Sequence, residues 1–175
     1  MLASKLPDVV SCLVLDVRMP RLSGLDLQIE LVKANNSIPI IFMTAYGDVS
    51  MSVRAMKEGA VDFLPKPFRD QDMLDAVMNA LERDRKRRAA QRRLANLRTH
   101  LETLTPRELE VMALVTAGLM NKQIAGELGV QEITVKGHRG RVMQKMGARS
   151  FAELVKIAEA LGVNRHSLRR DFSEA

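Results

Sequence analysis

Three polar side chains follow short apolar runs in the first half of the sequence, where buried strands would end. Asp16 comes directly after one run, Thr44 closes the second, and Lys66 lies shortly after the third. The carboxyl ends of parallel strands form the binding crevice of an open α/β sheet, so a carboxylate, a hydroxyl and an ammonium would meet there. This set suggests phosphatase or aldolase-like chemistry. However, no base–nucleophile pair, metal triad or Gly-rich phosphate loop accompanies it, which disfavours an enzyme.

A second constellation lies in residues 121–146, whose pattern is typical of a helix-turn-helix. Two amphipathic helices are joined at Gly129, and their apolar faces would pack together. The other face of the second helix, 132–146, is cationic. Such a helix fits the major groove of duplex DNA, where it can neutralise phosphates and reach base edges. The candidate DNA-binding residues are Thr134, Lys136, His138, Arg139, Arg141 and Lys145.

The elements that must position these residues differ between the two halves. Apolar runs at 12–15, 38–43 and 61–64 predict buried strands that alternate with helices, which is the pattern of a parallel α/β sheet. The second half predicts helices alone. Thr105 begins a capping box with proline at the first helical position, and glycines predict where the helices end.

Residues 83–101 form a predicted helical linker between the halves. Its arginine-rich part, 83–93, predicts a solvated helix face, with non-specific DNA contact as the alternative. An apolar stripe follows with heptad spacing, but it spans fewer than two heptads where a coiled coil needs three or four. A solvated helix with one apolar stripe is therefore the simpler interpretation than a dimer seam. The stripe consists of Leu94, Leu97, Leu101 and Leu104.

The charge of the chain also divides at its midpoint. Residues 1–80 contain 8 Lys and Arg against 10 Asp and Glu, whereas residues 81–175 contain 19 against 11. This asymmetry predicts a polyanion as partner of the second half. The single Cys12 and the lack of an apolar run near 18 residues predict a cytoplasmic protein without membrane association.

Residues 104–162 closely resemble the LuxR-type helix-turn-helix domain of the NarL/FixJ regulators. The resemblance is carried by LTPRELEVMALV, NKQIAGELGV and EITVKGHRGRVMQKM. It implies a four-helix domain, 102–163, whose third helix reads DNA and whose fourth helix supports homodimerisation. The matching positions for DNA contact are Thr134, Lys136, Gly137, His138 and Gly140. The implied dimer face consists of Phe151, Leu154, Val155 and Ala158.

Two glycines depart from the usual pattern of that third helix. Gly137 and Gly140 would each cost about 1 kcal/mol relative to alanine inside a helix. They would permit close backbone approach to DNA, or they are tolerated substitutions, which is the simpler interpretation. In both cases they shift the expected base readout onto Lys136, Arg139 and Arg141.

Three stretches of the first half resemble the receiver domain of two-component response regulators. They are LVLDVRMPRLSGLDL at 13–27, PIIFMTAYGD at 39–48 and AVDFLPKPF at 60–68. The resemblance implies a flavodoxin-like α/β sheet and a sensor histidine kinase as partner.

The receiver resemblance also implies roles for the residues at the strand ends. Asp16 is the implied phosphoacceptor, Thr44 the hydroxyl that contacts the phosphoryl group, and Lys66 its charge partner. Phe63 matches the aromatic switch position, since inward movement of Thr44 would vacate space for its ring. The Lys66–Pro67 bond is expected to be cis.

Receivers of this family begin with a strand that ends in an acidic pair, which helps to hold Mg²⁺. Only Asp8 is acidic among the residues before Asp16. With the family strand order 2-1-3-4-5, we expect a truncated receiver over 1–82 that keeps strands 3, 4 and 5 and leaves a bare edge. Mg²⁺ would then keep only an incomplete site at Asp16, and phosphorylation would be weak or absent.

The leading hypothesis is a transcriptional regulator that binds double-stranded DNA as a homodimer. It combines the truncated receiver, the linker, the four-helix domain and a tail at 164–175, and it is not an enzyme. The alternative is an interaction protein in which the receiver remnant docks or dimerises and DNA binding is unregulated. Specific binding that survives physiological salt distinguishes the two.

Overall fold

The computed structural model describes residues 9–20, 22–45 and 49–165, and the chain divides into two units, residues 1–90 and 91–175. In the first unit strands and helices alternate. They are β1 (Leu13–Asp16), α1 (Gly24–Lys33), β2 (Ile40–Thr44), α2 (Val49–Lys57), β3 (Asp62–Pro65) and α3 (Asp70–Glu102), whose last part belongs to the second unit. The remaining helices are α4 (Pro106–Thr116), α5 (Asn121–Leu128), α6 (Glu132–Lys145) and α7 (Phe151–Leu161).

The three strands form a parallel sheet in the order β1-β2-β3, as the sequence predicts. The register pairs Asp16 with Met43 and Thr44 with Pro65, so the carboxyl ends of the three strands lie together at one end of the sheet. Among the described residues β1 pairs with β2 alone. The expected bare edge of β1 stays a prediction, and Val14, in the middle of this strand, is 37% exposed.

Alternation along β2 supplies a core on each side of this sheet. Ile40 and Phe42 pack on the side of α1 and α2, whereas Ile41 packs against Ala76 and Ala80 of α3. Small alanines let the helix backbone approach the strands closely. The period of two is what a strand buried on both faces requires.

A buried carboxylate ties the start of the first unit to the charged part of α3. The Asp84 side chain is fully buried and accepts hydrogen bonds from Arg87, Arg88 and the backbone N–H of Ser11. Burial disfavours its ionised form, but these donors outweigh burial and hold the pKa of Asp84 below its ordinary value. The prediction of a solvated helix face over 83–93 is therefore wrong at Asp84, whose buried carboxylate connects α3 to Ser11.

One core holds the helices of the second unit together. Thr105 forms the predicted capping box with Glu108 at the start of α4, and Gly129 ends α5 in the left-handed region, with φ 64°. Helices α5 and α6 pack through the residues expected of a helix-turn-helix. These are Ile124, Ala125, Leu128, Val130, Val135 and Val142.

The leucine stripe after the charge run packs within the second unit. Leu97, Leu101 and Leu104 pack against the core of the second unit. This environment fits the simpler interpretation, a solvated helix with one apolar stripe, rather than a dimer seam. The end of α3 is thus a structural part of the helical unit.

In the part of the chain that the structure describes, no helix has the length and apolar character to span a membrane.

Candidate functional site

At the carboxyl ends of the strands, a carboxylate and an ammonium are in direct contact. Lys66 Nζ donates to Asp16 Oδ2 at 2.7 Å, and the backbone N–H of Arg18 donates to Asp16 Oδ1 at 2.9 Å. The two side chains are 38% and 32% exposed, so the pair faces solvent. The structure thus brings Asp16 and Lys66 together at the end of the strands.

These contacts set the charge state of the acid. The hydrogen bond from Lys66 and then that from the Arg18 backbone hold the pKa of Asp16 below its ordinary value. The carboxylate is therefore ionised at neutral pH, which is the nucleophilic form. An ammonium already stands beside it, where it can meet additional negative charge.

Backbone contacts fix the position of Lys66. Its N–H donates to the carbonyl of Thr44 at 2.8 Å, which joins the end of β3 to the end of β2. The Lys66–Pro67 bond is cis, as the sequence predicts. The hydrogen bond to Thr44 holds the start of the loop after β3 beside β2, and the lysine side chain reaches back to Asp16 on β1.

The two remaining predicted residues of this site are enclosed. Thr44 is buried at the end of β2, and Phe63 is half-buried on β3. The Phe63 ring lies 6.5 Å from that of Phe42, its register neighbour, at an angle of 50°. Their proposed movement in an aromatic switch stays a prediction.

Gly24 is a site residue that the sequence reasoning missed. Its N–H donates to the carbonyl of Val17 at 2.9 Å. A Cβ at this position would lie 2.6 Å from the carbonyl oxygen of Asp16 and 3.0 Å from the ring of Phe42. Glycine is therefore required where α1 begins beneath the loop that follows the acid. The signal was present as a glycine directly after the helix-capping Ser23.

The described residues around Asp16 would supply few protein ligands to a magnesium ion. Among them, no group of three or more Asp, Glu, His or Cys residues is arranged to hold a metal ion. Mg²⁺ requires near-octahedral oxygen coordination, and receiver domains typically bind it. Here the described donors at the sheet edge supply one carboxylate, which is bound to Lys66. We therefore derive no step through the metal.

In the second unit, α6 has a buried face and a fully exposed one. Val135, Val142 and Met146 at its end enter the core. Lys136 and Arg141 are exposed, and neither makes a hydrogen bond or ion pair with any described residue. The exposed face also contains Ile133, Thr134, Gly137, Gly140 and Gln144.

Two further predicted DNA-binding residues, Arg139 and His138, are half-buried. The Arg139 guanidinium lies 5.3 Å from the ring centre of Phe151 and donates to Asn121 at 3.4 Å. His138 is half-buried, and its Nδ1 is buried without a hydrogen bond to a described residue. Through its two contacts, Arg139 joins α6 to α5 and α7. The predicted DNA contacts of Arg139 and His138 stay untested.

Lys145 is placed as a structural residue. Its Nζ donates to Glu108 Oε2 at 2.7 Å and to the carbonyl of Thr103 at 2.9 Å. Hydrogen bonds from Lys145 and from the backbone of Thr105 hold the pKa of the buried Glu108 below its ordinary value. This ammonium neutralises an acid of its own unit, and its predicted contact with DNA stays a prediction.

The predicted dimer face of α7 also requires correction. Leu154 and Ala158 are 0% and 1% exposed and belong to the core of their own unit. They therefore cannot contact a second chain without unfolding. Phe151 is exposed and lies beneath Arg139, whereas Val155 is half-buried.

The fold defines a class of protein in which a parallel α/β unit is followed by a helix-turn-helix unit. Residues 2–78 match the response regulator receiver domain, and residues 102–158 match the luxR family of bacterial regulatory proteins. The chain belongs to the NarL/FixJ-type two-component response regulators with a LuxR-type DNA-binding output domain. The family and fold class expected from the sequence are therefore confirmed.

Individual relatives support this assignment. The chain is 65% identical over 164 residues to Nodulation protein W of Bradyrhizobium diazoefficiens, which covers 94% of this chain and 72% of that protein. It is 44% identical over 157 residues to transcriptional regulatory protein FixJ of Rhizobium meliloti, covering 89% and 77%. The structure of response regulator StyR is similar, with a TM-score of 0.75, 50% identity, and coverage of 90% of this chain and 80% of that one.

Proposed function

We propose that this chain regulates transcription by binding specific duplex DNA through α6, under the control of phosphoryl transfer to Asp16. The observation that carries the DNA-binding part is the exposed face of α6, where Lys136 and Arg141 have no partner among the described residues. Free cations on a helix of this width can displace counterions from DNA phosphates, which makes binding favourable and dependent on salt. Homodimeric binding to paired half-sites is part of the proposal.

Selection from a random duplex library by the full chain tests this function. We expect one enriched sequence, bound at physiological salt at least about 10³-fold more tightly than unrelated DNA. The logarithm of affinity should fall linearly with the logarithm of salt concentration. Binding without sequence preference, lost at physiological salt, would contradict the proposal and favour an interaction protein.

For the first unit, we propose that Asp16 accepts a phosphoryl group from a sensor histidine kinase. A carboxylate oxygen forms a bond to phosphorus, the bond from phosphorus to the kinase histidine breaks, and the imidazole leaves with the electron pair. The ionised state of Asp16 supports this role. Lys66, already 2.7 Å away, would pair with the added charge of about −1 on the phosphoryl oxygens.

A gel that retards phosphorylated proteins tests this assignment after incubation of the full chain with acetyl phosphate and Mg²⁺. Because the described residues supply one carboxylate to the metal, we expect less than stoichiometric modification, all of it dependent on Asp16. Asp16→Asn is the control. Modification that persists in this variant would refute Asp16 as the phosphoacceptor. Stoichiometric modification of the original chain would refute only the expectation that phosphorylation is weak.

A second candidate function is a docking or dimerisation module in the first unit. It is favoured by apolar side chains of α3 that face solvent, Leu74 and Met78, which are 56% and 67% exposed. Light scattering on the full chain and on Met78→Glu tests it. A concentration-dependent dimer that the substitution abolishes, together with unspecific DNA binding, would favour this candidate.

A further inference from the structure

We infer that Ile133 reads the 5-methyl group of a thymine in the major groove, as an apolar specificity determinant of α6. This inference deepens the proposed function, because it rests on α6 entering the groove. Ile133 is 69% exposed in the first turn of α6, whereas Val135, two residues later, is fully buried. A large β-branched side chain here contributes nothing to the core and little to helix formation.

The position of Ile133 on the helix places it at the centre of the exposed face. At about 100° per residue, Ile133 shares one strip with Gly137, Gly140 and Gln144, opposite the buried Val135 and Val142. Lys136 lies on one side of this strip, and Thr134 and Arg141 lie on the other. The face therefore has an uncharged centre between polar and cationic flanks.

The two glycines leave Ile133 prominent within that strip. A Cβ at Gly137 or Gly140 would meet no described atom within 4 Å, so packing inside the unit does not require glycine at either position. Their lack of side chains lets the helix axis approach an external surface closely. The isoleucine then projects from the first turn with no neighbouring side chain on the strip for two turns.

The major groove of DNA fits this arrangement better than a protein surface does. Its floor presents the thymine methyl as the one apolar group on the base edges, and the phosphates stand on both sides. The flanking cations would meet the phosphates while the apolar centre meets the floor. This charge pattern, rather than exposure alone, identifies DNA as the occupant.

Replacement of thymine by deoxyuridine tests the inference, since it removes the methyl group and leaves every hydrogen-bonding atom. The full chain is measured on the duplex obtained by selection, with each thymine replaced in turn. We expect one position in each half-site at which affinity falls about fourfold, the effect of one apolar methylene. Ile133→Ala should bind the thymine and deoxyuridine duplexes equally at that position. It should also keep the salt dependence of the original chain, because no charge is lost.

Matched variants separate this role from others. Met120→Ala removes a side chain of similar exposure, 67%, from outside α6, and it should retain the difference between thymine and deoxyuridine. The inference is overturned if the original chain tolerates deoxyuridine everywhere, or if Ile133→Ala keeps the full difference. It is also overturned if Ile133→Ala lowers transcription by RNA polymerase without changing DNA affinity, since Ile133 would then contact protein. If selection enriches no sequence, the proposed function fails first and this inference with it.

Discussion

The two units each contain a lysine–carboxylate pair of the same length, yet the surroundings of the two pairs differ. Asp16 and Lys66 are joined at 2.7 Å at the edge of the sheet, and Glu108 and Lys145 are joined at 2.7 Å between α4 and α6. The acid of the first pair is 32% exposed, whereas that of the second is 3% exposed. The two pairs are therefore alike in distance and differ in the access of solvent to the acid.

The environment of each acid explains the difference. Glu108 Oε2 accepts both from the backbone N–H of Thr105, at the start of α4, and from Lys145, so this oxygen is used twice within the fold. Asp16 accepts from Lys66 and from the backbone of Arg18, and its side chain still faces solvent. When one member of a buried ion pair is removed, the remaining charge stays desolvated, whereas the remaining charge of an exposed pair is rehydrated.

Removal of the buried acid should have the largest effect. Glu108→Ala eliminates the capping box and leaves the Lys145 ammonium without its carboxylate, so we expect the second unit to lose about 2–4 kcal/mol of stability. Hydrogen exchange of amides in α4 and α6 measures this loss, with β2 as internal reference. Glu110→Ala, which breaks the more exposed pair with Arg107, is the control and should cost less than about 1 kcal/mol. Equal protection in the two variants would contradict the structural role.

Acid should produce a smaller effect at the same site. The pKa of Glu108 is lowered from its ordinary value of 4.5, so its contribution to stability is complete above pH 4.5. The contribution is lost as pH falls from 4.5 through the lowered pKa of the folded state, because the unfolded chain then binds the proton more readily. Hydrogen exchange between pH 5 and 3, corrected for the intrinsic exchange rate, should show α4 losing protection in the original chain. Glu108→Gln should lose less over the same interval, and identical pH profiles would refute the assignment.

How far the sequence alone predicts this molecule depends on what each property requires. The parallel sheet and the helix-turn-helix follow from apolar periodicity and caps, which are local. Convergence of Asp16 and Lys66 also follows, because strand ends share one edge of a parallel sheet. The roles of Lys145 and Leu154 do not follow, since helical spacing places a residue on a face and leaves open which neighbour covers that face. Gly24 was missed because its constraint comes from Asp16 and Phe42, which lie elsewhere in the chain.

The lysines of α6 offer a comparison within one helix. Lys136→Ala should weaken binding to the selected DNA by about 1–3 kcal/mol if it reads a base, or lower the salt dependence by about one charge if it meets phosphate. Lys145→Ala should leave the salt dependence unchanged, because Glu108 already neutralises that ammonium. Fluorescence anisotropy over a salt series measures both. Equal loss of salt dependence in the two variants would show that Lys145 also contacts DNA.

The smallest change in stability is expected at the exposed pair. Lys66→Met removes the ammonium beside Asp16 but leaves the acid open to water, so unfolding free energy should change by less than about 1 kcal/mol. The same substitution at Lys145 should cost more, because Glu108 cannot be rehydrated in place. Urea titration followed by circular dichroism compares the two variants. Phosphorylation should show the opposite order, since Lys66→Met removes the charge that would meet the phosphoryl oxygens whereas Lys145→Met leaves Asp16 untouched. A lysine whose removal lowers phosphorylation more than unfolding free energy is not needed for folding. This result at Lys66, with the reverse at Lys145, would distinguish a reactive lysine from a structural one.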